Sequence, residues 1–226
     1  MKQLKKFKFT DLLIGMVFTI LLISLGVIFS INFRPLYYMD IDYLKIEASS
    51  GLSREVILNN YNALIDYCSP FFRGDLSFPT LAASKQGLQH FAEVKDIFVS
   101  FYYLAATTLP ICIFIIFYKI KKQMTSYLVV SSITVLVLPS IVGLFLLLNF
   151  DNTFRIFHEI FFDNDYWLFD TNTDPVITIL PDTFFLHCAL LIIFVVILGS
   201  LSLFLSSRIE KKHKSIRYRK NKGLKL

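Results

Sequence analysis

Four long stretches of this chain run without a charge, and the polar segments are arranged around them. Residues 12–31, 97–118, 127–150 and 184–206 are predominantly apolar, with no Asp, Glu, Lys or Arg among them. A membrane crossing takes about 20 such residues at a rise of ~1.5 Å each, so the pattern predicts four transmembrane helices. A soluble domain would instead have to bury four all-apolar cylinders with little polar chain left to cover them.

Between these stretches the periodicity changes. Ile57, Tyr61, Leu64 and Cys68 recur at helical spacing, with Ser53 placed to cap, Glu55 in the first turn and Pro70 beyond the end. They predict an amphipathic helix over about 53–67. The preceding run, FRPLYYMDIDYLKIEA, alternates from Tyr43 to Glu47 and reads as a strand. Ser84 can cap a helix in which GLQHFAEVKDIFVSFYY enters the second apolar stretch without a breaker. His90 would then stand about two turns, ~10–12 Å, above the first buried residues. Glu93 shares its face and is a candidate to orient it.

Farther on, residues 154–162 predict a short amphipathic helix on which Arg155 and Glu159 can pair four apart. The run Asp163–Asp165 suits a turn, and Tyr166 and Trp167 suit a membrane–water boundary. Asp174-Pro175 and Pro181-Asp182 then turn the chain into the fourth apolar stretch. His187, one turn inside it, is expected to be a core histidine bonded to a backbone carbonyl.

Charge orients this frame. Lys2, Lys5, Lys6, Lys8, Lys119, Lys121, Lys122 and nine basic residues from Arg208 to Lys225 fall on one side. All acidic residues except Asp11 and Glu210 fall on the other. By the positive-inside rule both termini are expected to be cytoplasmic and segments 32–96 and 151–183 to face outward. The first span has too long an apolar stretch for a cleaved leader and reads as an anchor. The basic tail, 207–226, lies directly beside a span, so it is read as a topogenic or anionic-phospholipid contact, not a nucleic-acid one. The three cysteines are scattered, without metal or redox spacing. The expected fold class is an all-α integral membrane protein: four transmembrane helices with a small extracytoplasmic cap and no separate domain.

The chemistry rests on few residues. His158-Glu159 begins an H-E pair, but Phe162 stands where the second zinc-protease histidine would be. No G-x-S-x-G elbow, P-loop or dinucleotide fingerprint is present. Two-histidine acid–base catalysis needs no motif, only two imidazoles converging on one substrate.

SKQGLQHFAEVKD before the second span, and FHEIFFDNDYWLFDTNTDPVITILPDTFF between the third and fourth, resemble the bacterial lipoprotein intramolecular transacylases. The resemblance covers essentially the whole chain. It implies a catalytic pair, His90 in GLQHF and His158 in FHEIFF. It implies that the sn-2 acyl chain of a diacylglyceryl-Cys lipoprotein moves to the Cys α-amine, giving the lyso-form at the outer membrane surface. Arg155, Glu93, Asp165 and Trp167 are the candidate supporting residues. No metal or other cofactor is expected. A non-catalytic membrane subunit or lipid-sensing partner, and a metal-dependent membrane hydrolase, are the alternative readings.

Overall fold

A computed structural model describes residues 8–223 of the chain. The described residues form helices α1 (Phe9–Asn32), α2 (Pro35–Tyr43), α3 (Ile46–Ser50), α4 (Arg54–Tyr67), α5 (Lys85–Lys121), α6 (Ser126–Leu148), α7 (Phe150–Phe161) and α8 (Asp182–Gly223). A 3-10 turn, Pro175–Ile179, lies between α7 and α8, and no strand occurs among the described residues. Helices α1, α5, α6 and α8 are each long and apolar enough to cross a membrane.

Segments of these helices fall into two compact units. The first combines the chain up to Leu25 with Leu104–Ile141 and the chain from Ile193. Its core is small, built on Phe18, Leu21, Cys112, Tyr127, Leu128, Val135 and Val196. Large apolar side chains such as Phe114, Phe117, Ile133 and Leu138 are exposed around it, which suits a surface solvated by lipid chains and not by water. Gly15 and Gly199 sit where an added Cβ would press on Thr134 and Leu22 respectively, so small residues let these helices approach.

The first unit also holds a buried ion pair. Lys119 Nζ lies 3.1 Å from Asp11 Oδ1, and Ser126 Oγ donates to Asp11 Oδ2 at 2.8 Å. Both charged side chains are under a tenth exposed. Removing one member strands the other charge away from water. Asp11→Ala is therefore expected to cost about 3–5 kcal/mol of stability, read as a lowered Tm in detergent. Asp11→Ala with Lys119→Met is expected to recover most of it.

The second unit comprises Gly26–Tyr103 and Val142–Ile192. Its core packs α2, α3, α4, the start of α5 and the 3-10 turn around Tyr37, Ile41, Ile46, Ile57, Tyr61, Leu64, Phe91, Val176, Ile179 and Phe184. Tyr37 and Tyr61 stack with ring centroids 3.6 Å apart, and the Tyr37 hydroxyl donates to the Ile179 carbonyl at 2.6 Å. Asn60 is fully buried and fully used. It donates to Val56 O and Thr80 Oγ1 and accepts from the Thr80 and Leu81 amides, pinning the loop before α5 to α4.

Helix α4 forms as its sequence predicts, with Ser53 Oγ accepting from the Val56 amide. The strand expected around 43–47 is replaced by α2 and α3. Pro35 opens α2, and Tyr37, Asp40 and Ile41 bury one face of it at helical spacing. Lys45 takes a left-handed conformation (φ 55°) and reverses the chain into α3. The apparent alternation straddles that turn. The third apolar stretch also differs, because α6 stops at Leu148 and Asn149 caps a new helix, α7, by accepting from the Asn152 amide.

Candidate active site

Helix α5 begins where Ser84 supplies its cap: Ser84 Oγ accepts from the Gly87 amide at 2.9 Å. One turn later His90 enters the second unit, only 4% exposed. Helix α7 carries His158, 8% exposed, near its C-terminal end. Thr153 Oγ1, donating to the Phe145 and Asn149 carbonyls, fixes the joint from which α7 departs. The two imidazoles meet with ring centroids 5.9 Å apart and planes tilted by 32°.

Aromatic rings enclose the pair. Phe162 lies edge-on to His90 at 4.7 Å and alongside His158 at 5.5 Å. Phe169 is edge-on to His90 at 5.5 Å, while Trp167 covers His158 at 4.8 Å and Phe154 packs on it at 4.2 Å. Both histidines line an almost wholly apolar cavity of about 450 Å³, with walls from α1, α4, α5, α6, α7 and α8 within this unit. That volume falls within the range of small-ligand sites.

The enclosure sets the protonation states. Burial disfavours imidazolium. It pulls His90 down to about 4, with the neighbouring His158 adding to the effect and Glu93 opposing it. His158 is lowered by the same loss of water, opposed by the Phe154 carbonyl and by Asp182. At neutral pH both rings are therefore uncharged.

Their nitrogens are not equivalent. His158 Nδ1 stands 2.8 Å from the Phe154 carbonyl oxygen. A carbonyl can only accept, so Nδ1 carries the proton and Nε2 keeps a lone pair. His90 Nδ1 is buried with no hydrogen-bond partner among the described residues. An unpaired buried polar atom costs about 1–3 kcal/mol, and such a cost is common at sites where a ligand supplies the missing partner.

The remaining candidates are placed differently. Trp167 lines the cavity. The Glu93 carboxylate receives Asn164 Nδ2 at 3.2 Å on both oxygens and Gln89 Nε2 at 3.1 Å, so it ties α5 to the chain after α7. Arg155 is exposed and engages Glu159 and Asn152, each at 3.0 Å, away from the cavity lining. Asp165 is exposed and also off the lining. His187, expected to bond a backbone carbonyl, instead holds the buried Asp40 carboxylate, with Nδ1 2.9 Å from each oxygen. Among the described residues no group of three or more His, Cys, Asp or Glu comes together to hold a metal. Phe169, Asn164 and Asp174 belong to the site's frame without having been candidates, because each works through a partner at least 70 residues away.

Comparison with known proteins gives a consistent result. Residues 12–185 match the family described as lipoprotein intramolecular transacylase Lit. A solved structure of the membrane integral lipoprotein intramolecular transacylase Lit from Bacillus cereus is 34% identical, with a TM-score of 0.87, covering 92% of this chain and 98% of that one. A variant of the same protein with a histidine replaced by arginine matches at 33% identity and TM-score 0.83, covering 92% and 95% of the two chains. A variant with a histidine replaced by alanine matches at 34% and 0.82, covering 92% and 96%. No curated protein matches the chain.

Proposed function

This chain belongs to the lipoprotein intramolecular transacylase family, and on that premise we propose how its two buried histidines carry the acyl transfer. It is a multi-pass membrane acyltransferase. In our reading the substrate is a lipoprotein whose N-terminal Cys bears a diacylglyceryl group and a free α-amine. The cavity holds the lipid and brings the amine to the sn-2 ester. Both termini are cytoplasmic and the histidines face the outer membrane surface, the arrangement favoured by the distribution of Lys and Arg.

Both reacting groups belong to one molecule, so orientation supplies much of the rate and no nucleophile from the protein is needed. An α-amine in water is largely protonated at pH 7, given its reference pKa near 8. Entering an apolar cavity favours its neutral form, as it does for the histidines. The amine nitrogen attacks the ester carbonyl. His158 Nε2 takes the proton that the nitrogen sheds, and neutral His90 donates a hydrogen bond to the carbonyl oxygen as it becomes negative. The tetrahedral adduct then breaks its bond to the glycerol oxygen, which receives the proton from His158. The products are an amide on the Cys nitrogen and a free sn-2 hydroxyl, and His158 is again neutral. Burial makes the transient His158 imidazolium a stronger acid than one in water, which suits the second step.

The observation that carries this reading is two uncharged, buried imidazoles 5.9 Å apart on one apolar cavity. Its test is the mass spectrum of lipoprotein N-terminal peptides from cells with and without the chain. Expression is expected to shift one acyl chain from glycerol to the amine at constant total mass, so fragmentation must locate it. Peptides whose acyl chains stay on glycerol would overturn the proposal.

A further inference from the structure

Asp174 is 3% exposed, yet no role in the reaction falls to it. Its Oδ1 accepts from the Ser84 amide at 2.7 Å, and its Oδ2 accepts from Thr173 Oγ1 at 2.7 Å. Ser84 is the residue that caps α5. The carboxylate therefore lies at the N-terminus of the His90 helix, where backbone N–H groups and the helix dipole favour negative charge.

Gly87 shows how closely the two segments meet. A Cβ built there would lie 2.2 Å from Asp174 Oδ1, 3.0 Å from its Cγ and 3.1 Å from Phe169 Cε1. The carboxylate occupies the space that any other residue at 87 would fill. His90 follows three positions later on the same helix face. Phe169, in the same loop as Asp174, lies edge-on to His90 and stacks on Phe91 with centroids 5.3 Å apart. Two residues earlier in that loop, Trp167 covers His158.

One loop, residues 167–174, thus meets the first turn of α5 through Asp174, His90 through Phe169 and His158 through Trp167. We propose that Asp174 is a positioning residue, whose carboxylate, seated in the space over Gly87, sets the separation of His90 from His158. The proposal rests on the reading that both histidines meet the reacting atoms. It predicts a loss in turnover without a comparable loss in substrate binding, because the cavity walls are left in place. A misplacement of about 1 Å costs roughly 100-fold in a site of this kind.

The test uses the full-length purified protein with a synthetic diacylglyceryl lipopeptide, converted product being read by mass spectrometry. Asp174→Ala is expected to lower kcat by about 10–100-fold with KM within about threefold. Asp174→Asn, whose amide oxygen can still accept from Ser84, is expected to stay within about threefold of wild type. Gly87→Ala displaces the carboxylate without deleting it and is expected to lower kcat as Asp174→Ala does; it carries the test if Asp174→Ala does not accumulate. Combined with Asp174→Ala it should add less than it costs alone, since the 2.2 Å clash with Oδ1 is gone and only the 3.1 Å approach to Phe169 remains. Hydrogen exchange over residues 84–90 is expected to quicken in Asp174→Ala and not in Asp174→Asn.

Wild-type turnover in Asp174→Ala, or losses that simply multiply in the double variant, would overturn the proposal. So would Asp174→Asn being as impaired as Asp174→Ala. Activity persisting in His90→Ala would instead remove the catalytic reading, while the exchange rates would still report whether Asp174 holds the helix start.

Discussion

Replacing His158 by alanine is expected to lower turnover by about 10²–10⁴-fold, the usual contribution of a positioned general base. The expectation follows from its hydrogen bonding. With the Nδ1 proton committed to the Phe154 carbonyl at 2.8 Å, Nε2 is the lone pair the ring can offer. Cavity walls from five other helices remain, so KM is expected to move much less than kcat. The pH profile adds a second signature. Burial lowers the pKa of His158, so its base form persists below the ordinary histidine value of 6.5, and the acid limb of kcat, which reports the bound complex and not the free amine, is expected below pH 6.5. Stability follows the same sign through His90, whose folded pKa of about 4 lies beneath its unfolded value. Its contribution is complete above pH 6.5 and is lost as pH falls from there toward 4. Retention of more than about a tenth of wild-type turnover in His158→Ala would rule out the base role, as would an acid limb above pH 6.5.

How far such a site can be read in advance depends on the distance over which each feature is determined. The apolar runs and the Ser53 cap of α4 are local, and the chain forms four helices long and apolar enough to cross a membrane, the third ending at Leu148, together with that cap. The Ser84 cap is local too, and it places His90 at the start of α5. Misreadings arise where a local pattern crosses a backbone reversal, as with the alternation from Tyr43 to Glu47 across the left-handed Lys45. They also arise where a partner is remote. His187 meets Asp40 from 147 positions away, a contact that no spacing within the fourth apolar stretch could announce. The pairing of His90 with His158 belongs to this second class. Residue types alone leave each as one histidine among several near a membrane boundary, and the resemblance of the surrounding motifs is what joins them. Arg155 illustrates the converse. Its helical spacing brings it near His158 in sequence, but Glu159 and Asn152 hold its guanidinium on the exposed side of α7.

His90 carries the other large effect, and its environment separates catalysis from stability. An imidazole pulled down to about 4 remains neutral through the physiological range, which fits the proposed part of an N–H donor to a developing oxyanion better than that of an acid. His90→Ala is expected to lower kcat by about 10²–10³-fold, the loss typical of one oxyanion donor. His90→Gln keeps an N–H donor without a titrating group, and about tenfold of that loss is expected to return. Equal activities of the Ala and Gln variants would show that donation is not the role. A third substitution tests the cost of holding this group. Nδ1 of His90 is buried without a partner between Phe162 and Phe169, so the resting protein bears an unsatisfied polar atom worth about 1–3 kcal/mol. His90→Phe fills the space with an apolar ring and removes that atom. It is expected to abolish acyl transfer while holding or raising Tm, since functional sites are often built at the expense of stability. A variant that is both inactive and markedly less stable would mean that His90 serves the packing of this cluster as much as its chemistry.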